Sequence, residues 1–410
     1  MTRATIGDLP PMYPGGNRIG LEEEEAVLQV LRSKRLFRYY GAIDGPSAVE
    51  AFEASFADRM GSRHAVAVAS GTTALTTALA AASIGPGDQV IVPSYTWVST
   101  AAAVLAVGAV PVLAEVDDSL TIDVHDAETL INGRTRAIIP VHMRGASADM
   151  AAVLRLAQQY DLVVIEDAAQ AMGGRFGTQR LGSIGHIGCF SLQYNKIITC
   201  GEGGVVLTND SGLHERALMY HDVAASQRID TAGTPTFYGI TCRMSELQGA
   251  VAGVQLDRLD AIIAACRANR SRIIDMVRDQ ADRKDVRVRA SHDEAGDTAI
   301  ALILLLPDVR RARALVNALR SAGIDTDVLF DQETPDLHVA CHWSPILELR
   351  SSSRHGPWAE QDGEFTYGPE RWAHTNDLLS RAVHLDVSPD LGPEQVEQVA
   401  STLQETLASL

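Results

Sequence analysis

One lysine of the chain, Lys196, lies between Ser191, five residues upstream, and the glycine-rich run GEGG just downstream. Most lysines are solvated surface charges, so a lysine alone indicates nothing. Further upstream, however, the apolar run VVI is followed by Glu166, Asp167 and mostly small residues. This pattern predicts a buried parallel strand that places Asp167 at its carboxyl end, where α/β sheets bind ligands.

A third stretch, SGTTAL at 70–75, follows the apolar run HAVAVA. It predicts a strand that turns into a helix whose first N–H groups are free to bind an anion. The three stretches together offer an amine, a carboxylate at a strand end and an anion-binding helix start. Pyridoxal 5'-phosphate needs these three groups, for its aldehyde, its pyridine nitrogen and its phosphate. The sequence therefore predicts pyridoxal 5'-phosphate as the cofactor.

Five motifs, in this order, resemble those of the DegT/StrS-type sugar aminotransferases, which are fold-type I pyridoxal-phosphate enzymes. The motifs are ASGTTAL, VPSYTWVSTA, IEDAAQA, SLQYNKIITCGEGG and CRMSELQGA, and the resemblance runs from about the fortieth residue to the C-terminus. A narrower resemblance, to the aminotransferases that form 8-amino-3,8-dideoxy-octulosonate, depends on FRYY, VHMRG and ITCGEGG.

Residue chemistry and the resemblance together predict a catalytic pair. A lysine amine is a nucleophile only when neutral, and burial lowers its pKa. We expect Lys196 to form the Schiff base with the cofactor and, once freed by substrate, to act as a general base. Asp167 is expected to keep the pyridine nitrogen protonated, so that the ring accepts electrons. Glu166 points to the other side of the strand and is the less favoured carboxylate.

Further cofactor contacts are implied by the family motifs at Gly71, Thr72, Trp97, Gln170 and Ser191. The N–H groups of Gly71 and Thr72, aided by the helix dipole, and the hydroxyl of Ser191 would hold the phosphate. Trp97 would stack on the ring, and Gln170 would contact the ring hydroxyl. The alternatives are a helix N-cap at 70–72, a core tryptophan and a buried structural amide.

One position departs from the family pattern. Relatives usually read Gly-x-Asn-x-Arg before the MSE triplet, and their asparagine reaches the cofactor phosphate of the partner subunit. Here the segment is GITCR, with Thr241 in the asparagine's place. A threonine can still donate one hydrogen bond, but it is shorter. The resemblance implies a homodimer with shared active sites, in which Thr241 is the candidate contact across the interface.

The resemblance also implies the substrates, namely glutamate or glutamine as amino donor and a keto or aldehyde sugar or cyclitol as acceptor. The candidate substrate residues are Arg38, Tyr39, His142 and Arg144. Arg38 and Tyr39 lie in a basic, aromatic loop that approaches the substrate in relatives, whereas Arg144 follows a predicted strand end. Since arginine suits carboxylate and phosphate, we expect an anionic acceptor. The alternative is a packed loop whose arginines pair with some of the 52 acidic residues.

The composition narrows the class of partner. The chain has 410 residues, 46% of them hydrophobic, which is ample for two domains. A formal net charge of −17 argues against nucleic acid or an anionic membrane as a partner. Five scattered cysteines and an N-terminus without an apolar segment predict a cytoplasmic protein with reduced thiols. The dispersed histidines predict no metal site.

From residue 47 to 207, helical and strand-like segments alternate, which predicts an α/β fold with a mostly parallel central sheet covered by helices. With the resemblance, this becomes a fold-type I transferase with a smaller C-terminal α+β domain. We place the large cofactor-binding domain, with an N-terminal arm, at 1–255 and the small domain at 256–410. A long helix over 244–270 is expected to lead into the small domain. The stretch 338–374 has little periodicity.

Two other functions stay open at this point. A pyridoxal-phosphate dehydratase or deoxygenase of a sugar would share the fold, but such relatives carry histidine where this chain has Lys196. A non-catalytic sensor with the same fold would bind ligand without turnover.

Overall fold

The computed structural model describes residues 9–11, 14–40, 46–228, 235–361, 365–368 and 371–410. Its strands are β1 (His64–Val68), β2 (Gln89–Pro93), β3 (Val110–Ala114), β4 (Thr135–Ile138), β5 (Val163–Asp167), β6 (Arg175–Phe176), β7 (Gln179–Arg180), β8 (Ile187–Ser191), β9 (Gly204–Thr208), β10 (Arg287–Val288), β11 (Ala301–Leu305), β12 (Thr326–Val328) and β13 (Ala382–Asp386). Its α-helices are α1 (Pro14–Asn17), α2 (Leu21–Ser33), α3 (Ala48–Met60), α4 (Gly71–Ala81), α5 (Ser99–Ala106), α6 (Val124–Thr129), α7 (Met150–Tyr160), α8 (Ser211–His221), α9 (Glu246–Arg283), α10 (Val309–Ser321), α11 (Ser344–Leu347), α12 (Ala373–Ser380) and α13 (Pro393–Ser409).

A seven-stranded sheet with the order β1-β9-β8-β5-β4-β2-β3 forms the centre of the protein. Strand β9 is antiparallel to both of its neighbours, whereas β8, β5, β4, β2 and β3 pair in parallel. Because parallel strands are covered on both faces, their residues are apolar nearly throughout. The prediction of a mostly parallel α/β sheet is confirmed.

Helices cover both faces of this sheet. Helices α4 and α5 pack on one face, where Leu79 and Val104 meet Val90 and Val206. On the other face, α3 and α9 cover β1, β8 and β9, and α6 and α7 cover β2, β4 and β5. Local signals fix the helix ends, as at α3, where the hydroxyl of Ser47 caps the N-terminus. Helix α4 begins three residues after the end of β1, which brings its N-terminus to the edge of the sheet.

A second, antiparallel sheet with the order β10-β11-β13-β12 lies in the C-terminal part of the chain. Helices α10 and α13 and the C-terminal half of α9 pack on it. Helix α9 runs through the predicted domain boundary at 255/256 and extends to Arg283, beyond the predicted end at 270. The domain division at that position stays a prediction.

The described residues of the stretch without periodicity, 338–361, 365–368 and 371–374, fold back onto the large sheet. Its tryptophans, Trp343, Trp358 and Trp372, are buried in the same apolar cluster as α4 and α5. These contacts are with residues distant in sequence, so no local pattern indicates them. The predicted N-terminal arm lies partly outside the described residues, which include the short helix α1. Within the described part of the chain, no helix is both long and apolar enough to cross a membrane.

Candidate active site

A cavity of about 390 Å³ opens at the carboxyl ends of the parallel strands. It brings together most of the predicted site residues, namely Gly71, Thr72, Trp97, Arg144, Asp167, Gln170, Ser191 and Lys196. Strands β5 and β8 supply Asp167 and Ser191 with their last residues, and α4 supplies its N-terminus. The sheet topology therefore gathers residues that are more than 100 positions apart in the sequence.

The carboxylate of Asp167 is held by two hydrogen bonds. Its Oδ2 accepts a bond from the Thr100 hydroxyl at 2.9 Å, and its Oδ1 accepts one from the Ala169 N–H at 3.1 Å. Burial raises the pKa of Asp167, and the bonds from Ala169 and Thr100 act against that rise. Both donors stabilise the ionised form. A carboxylate fixed in this way can hold the proton of a ring nitrogen.

Thr100 lines the cavity and contacts Asp167, and sequence reasoning missed it. It lies at the start of α5, within the PSYTWVSTA motif, and is buried. Its Oγ1 is 2.9 Å from the Thr96 hydroxyl, so Thr100 can accept from Thr96 while it donates to Asp167. The motif was the available signal, but only the fold, which brings the start of α5 beside the end of β5, shows which threonine meets the carboxylate.

The neighbouring Glu166 faces away from the cavity, as the strand alternation predicts. It accepts hydrogen bonds from His142 Nε2 at 2.9 Å and from the N–H groups of Gly182, Ile184 and Gly185. The other ring nitrogen of His142, Nδ1, accepts the Ala148 N–H at 3.2 Å. Both ring nitrogens are thus occupied in a fully buried side chain. This histidine fixes the turn next to β5 and does not line the cavity, and the expectation that His142 contacts substrate stays a prediction.

Lys196 reaches the cavity from the segment between β8 and β9. Burial lowers the pKa of its amine, Asp167 acts to raise it, and Arg144 lowers it further. The net shift is downward, so the neutral, nucleophilic amine is more accessible at a given pH than in an exposed lysine. The cavity therefore contains an amine suited to react with an aldehyde, and this amine is close enough to Asp167 for the carboxylate to affect its pKa.

The N-terminus of α4 and Ser191 form an anion cradle. The Ser70 hydroxyl caps this helix by accepting the Thr73 N–H at 3.1 Å, which leaves the Gly71 and Thr72 N–H groups directed to the cavity edge. A Cβ on Gly71 would lie 2.8 Å from Ser191 Cβ, and one on Gly204 would lie 2.3 Å from the Ser70 carbonyl oxygen. Glycine is therefore required for this close approach. The donor set, two amides and a hydroxyl, fits a phosphate.

Trp97 lines the cavity mouth and is 42% exposed, so it is not the buried core residue of the alternative interpretation. Its ring lies 4.9 Å from that of His338, at an interplanar angle of 58°. His338 also lines the cavity, and its Nδ1 is 2.8 Å from an Asp336 oxygen. Sequence analysis did not select His338, because it lies in the stretch without periodicity.

Arg144 occupies a left-handed backbone conformation, with φ 51° and ψ 41°. This conformation costs a non-glycine residue about 1–2 kcal/mol and is retained only where surrounding contacts fix it. The Arg144 N–H donates to Gln170 Oε1 at 3.3 Å, and Arg289 donates to the carbonyl oxygens of Met143 and Arg144 at 2.9 and 3.2 Å. Burial lowers the pKa of Arg144, whereas Tyr95 and Asp386 raise it, and the net shift is upward.

The other candidate substrate residues lie outside this cavity. Arg38 is buried and donates from two nitrogens to Glu53, at 2.8 and 2.7 Å. Tyr39 has its hydroxyl 3.3 Å from His221 Nε2. Internal partners thus occupy both residues in this chain, and the expectation that Arg38 and Tyr39 contact substrate stays a prediction. Thr241 is exposed and does not line this cavity either.

The fold and the site together define a class of protein, the pyridoxal-phosphate aminotransferases of fold type I. The family model of the DegT/DnrJ/EryC1/StrS aminotransferase family matches residues 17–342, and the chain belongs to this family. Its cofactor is pyridoxal phosphate, for which the amine, carboxylate and anion cradle described above are a fitting set of partners. Within the described residues, no cluster of side chains is suited to hold a metal ion.

Relatives and solved structures agree with this assignment. The chain is 38% identical over 290 residues to the GDP-perosamine synthase of Caulobacter vibrioides, covering 70% of this chain and 74% of that protein. It is 39% identical over 259 residues to the L-glutamine:2-deoxy-scyllo-inosose aminotransferase of Streptomyces kanamyceticus, covering 60% of each protein. The crystal structure of 3-amino-5-hydroxybenzoic acid synthase superposes with a TM-score of 0.80 at 25% identity, covering 99% of this chain and 100% of that one.

Proposed function

We propose that this aminotransferase moves an amino group from glutamate or glutamine to a keto or aldehyde carbon of a sugar or cyclitol, in the biosynthesis of an amino sugar or a secondary metabolite. The observation that carries the proposal is the convergence of Lys196 and Asp167 on one cavity with the anion cradle. The names of the relatives, a perosamine synthase and a scyllo-inosose aminotransferase, support the class of acceptor.

Each residue has a proposed task. The bound cofactor supplies an aldehyde that condenses with amines and a ring that accepts electrons. Lys196 holds it covalently and, when displaced by the substrate's amine, moves the proton at the carbon that carries nitrogen. Asp167, fixed by Thr100, keeps the ring nitrogen protonated. Gly71, Thr72 and Ser191 hold the phosphate, Trp97 covers the ring, and Gln170 orients its hydroxyl.

We also propose a homodimer in which Thr241 contacts the partner's cofactor phosphate. Its support is the exposure of Thr241, and of the neighbouring Tyr238 and Ile240, which are 86% and 48% exposed. Large apolar side chains rarely remain solvated in contiguous groups. A cytoplasmic location is likewise our proposal, in keeping with five cysteines that are all unpaired.

The test combines a covalent label with half-reactions. The purified protein should be yellow, and borohydride should fix the cofactor onto Lys196, as peptide mapping would show. Glutamate or glutamine should convert the cofactor to its amino form, which a panel of keto sugars and keto cyclitols should reverse. Lys196→Ala should retain the fold, by melting temperature, and lose both the borohydride-stable label and turnover. A label that survives in this variant would refute the role of Lys196.

The alternatives predict other results. A sugar dehydratase would consume its substrate without converting the cofactor to the amino form in the presence of glutamate. A non-catalytic sensor would bind cofactor and show neither half-reaction. The presence of Lys196 in the cavity, with its pKa lowered by burial, favours the transaminase.

A further inference from the structure

The guanidinium of Arg144 lies in the cavity without a counter-ion. Its Nε is buried and has no hydrogen-bond partner, and among the described residues no carboxylate oxygen lies within 4.0 Å of it. Its polar neighbours are neutral groups: His384 Nε2 lies 3.5 Å from a terminal nitrogen, and the buried Tyr95 hydroxyl is close enough to raise the pKa of Arg144. This nitrogen of His384 is also 3.0 Å from Asp386, and Asp336 is taken by His338. The two nearby carboxylates thus have other partners.

The backbone around Arg144 is fixed by contacts that orient its side chain into the cavity. Residue 144 has a left-handed conformation, and Arg289 and Gln170 fix the turn from two sides. Gly145 adopts φ +89°, and a Cβ there would lie 2.4 Å from the Thr298 hydroxyl. A surface arginine whose only role was to offset the negative charge of the protein would need none of these contacts. The cradle for the cofactor phosphate, at Gly71 and Ser191, has its own donors and does not need Arg144.

We propose that Arg144 binds a carboxylate carried by the amino acceptor, so that the acceptor is a keto or aldehyde acid. This inference rests on the proposed transamination, in which donor and acceptor occupy the same cavity in turn. A buried guanidinium must find an anion in both half-reactions, because a neutral acceptor would exclude water from it and leave the charge unpaired. An amino-acid donor offers such a carboxylate, and the acceptor must match it. The planar fork of arginine suits a carboxylate.

The experiment uses the full-length protein loaded directly with pyridoxamine 5'-phosphate, the form that receives the acceptor. Acetate, acetamide and inorganic phosphate are titrated in, and binding is followed by the cofactor's absorption and by melting temperature. Acetate should bind and its neutral analogue acetamide should not. Arg144→Met should weaken acetate binding roughly tenfold to a hundredfold, the loss expected for a charged hydrogen-bonded pair. Arg144→Lys, which retains charge without the fork, should lie between.

A matched control shows whether the loss of acetate binding is specific to Arg144 or follows from removing any arginine. Arg354→Met removes an exposed arginine and should leave acetate binding unchanged. Equal acetate affinity in wild type and Arg144→Met would overturn the proposal. So would tighter binding of phosphate than of acetate that the same variant abolishes, since the acceptor's anion would then be a phosphate. Cofactor affinity must stay unchanged in Arg144→Lys, because weakened cofactor binding would assign Arg144 to the cofactor instead.

The donor is examined separately with the aldehyde form of the holoenzyme. Because the amino form also binds the oxo acid left by the donor, the acceptor is tested directly, by the rate at which keto acids and their neutral amides return the cofactor to the aldehyde form in wild type and Arg144→Met. If the variant slows only the reactions of glutamate, glutamine and their oxo acids, and wild type accepts neutral keto sugars as readily as keto acids, the carboxylate belongs to the donor and the proposal falls. Failure of the proposed function looks different. In that case wild type would not convert the cofactor with either donor, whereas acetate binding to the directly loaded amino form would be unaffected.

Discussion

Removal of the Thr100 hydroxyl tests whether the bond to Asp167 matters for catalysis. In Thr100→Val, a nearly isosteric change, Asp167 Oδ2 loses the donor at 2.9 Å and retains only the Ala169 N–H on its other oxygen. A buried hydrogen bond to a charged group contributes about 1.5–3 kcal/mol. The pKa of Asp167, already raised by burial, should therefore rise further, because its ionised form loses one of two stabilising donors.

A less ionised Asp167 holds the proton of the ring nitrogen less firmly, and both half-reactions depend on that proton. We expect kcat/KM to fall roughly tenfold to a hundredfold with donor and with acceptor alike, since each 1.4 kcal/mol is about tenfold in rate. The assay is single-turnover absorption spectroscopy of each half-reaction, together with the cofactor's dissociation constant. Thr100→Ser, which retains the hydroxyl, should restore most of the rate.

Thr208→Val provides the matched control. Its hydroxyl is also buried and donates to the His186 carbonyl oxygen at 2.8 Å, but it lies outside the cavity. This variant should lower the melting temperature and leave the half-reactions unchanged. If Thr100→Val behaves like Thr208→Val, or if Thr100→Ser is as slow as Thr100→Val, the bond to Asp167 is structural and the reasoning fails.

Three further expectations concern single residues. Asp167→Asn should keep the cofactor bound and slow both half-reactions by at least the tenfold expected of Thr100→Val, because asparagine cannot hold the proton by charge; turnover within about twofold of wild type would assign this role to another group. Thr241→Val should raise the cofactor's dissociation constant roughly fivefold, the value of one hydrogen bond of about 1 kcal/mol, in a protein that light scattering shows to be a dimer; an unchanged constant or an active monomer would contradict the contact across the interface. Burial and, to a smaller extent, the positive charge of Arg38 lower the pKa of His221 to about 4. Below about pH 6.5 the His221 ring binds a proton in the unfolded chain but not in the folded one. The free energy of unfolding therefore keeps its full value above pH 6.5 and decreases toward pH 4, with a loss of about 2 kcal/mol at pH 5. His221→Asn, whose amide can replace Nδ1 toward the Leu218 carbonyl oxygen, should show a smaller loss of melting temperature between pH 7 and pH 5 than wild type, and an equal loss would exclude this histidine as a source of acid sensitivity.

The alternation of apolar segments was sufficient to predict the strands of the large sheet, because each strand is covered on both faces and reads as a continuous apolar run. The strand ending in Asp167 was recognisable for a similar reason, since an apolar run ends in an uncommon polar residue, whereas Lys196 was recognisable from its spacing to Ser191 and to the glycine-rich run that follows it. Helix ends were predictable where capping is local, as at Ser47 and Ser70, whose side chains bond within their own first turn.

Tertiary structure alone decided which polar residues meet. His142 and Arg144 are two positions apart after the same strand, yet His142 is enclosed with Glu166 and Arg144 enters the cavity. The difference arises from the left-handed backbone at residue 144, which Arg289 fixes from far along the chain. Arg38 had the sequence features of a substrate residue and is instead paired with Glu53. The sequence shows which side chains are charged, whereas packing between distant segments decides which group each charged side chain contacts. Those contacts distinguish a charged residue with a structural role from one that can bind a ligand.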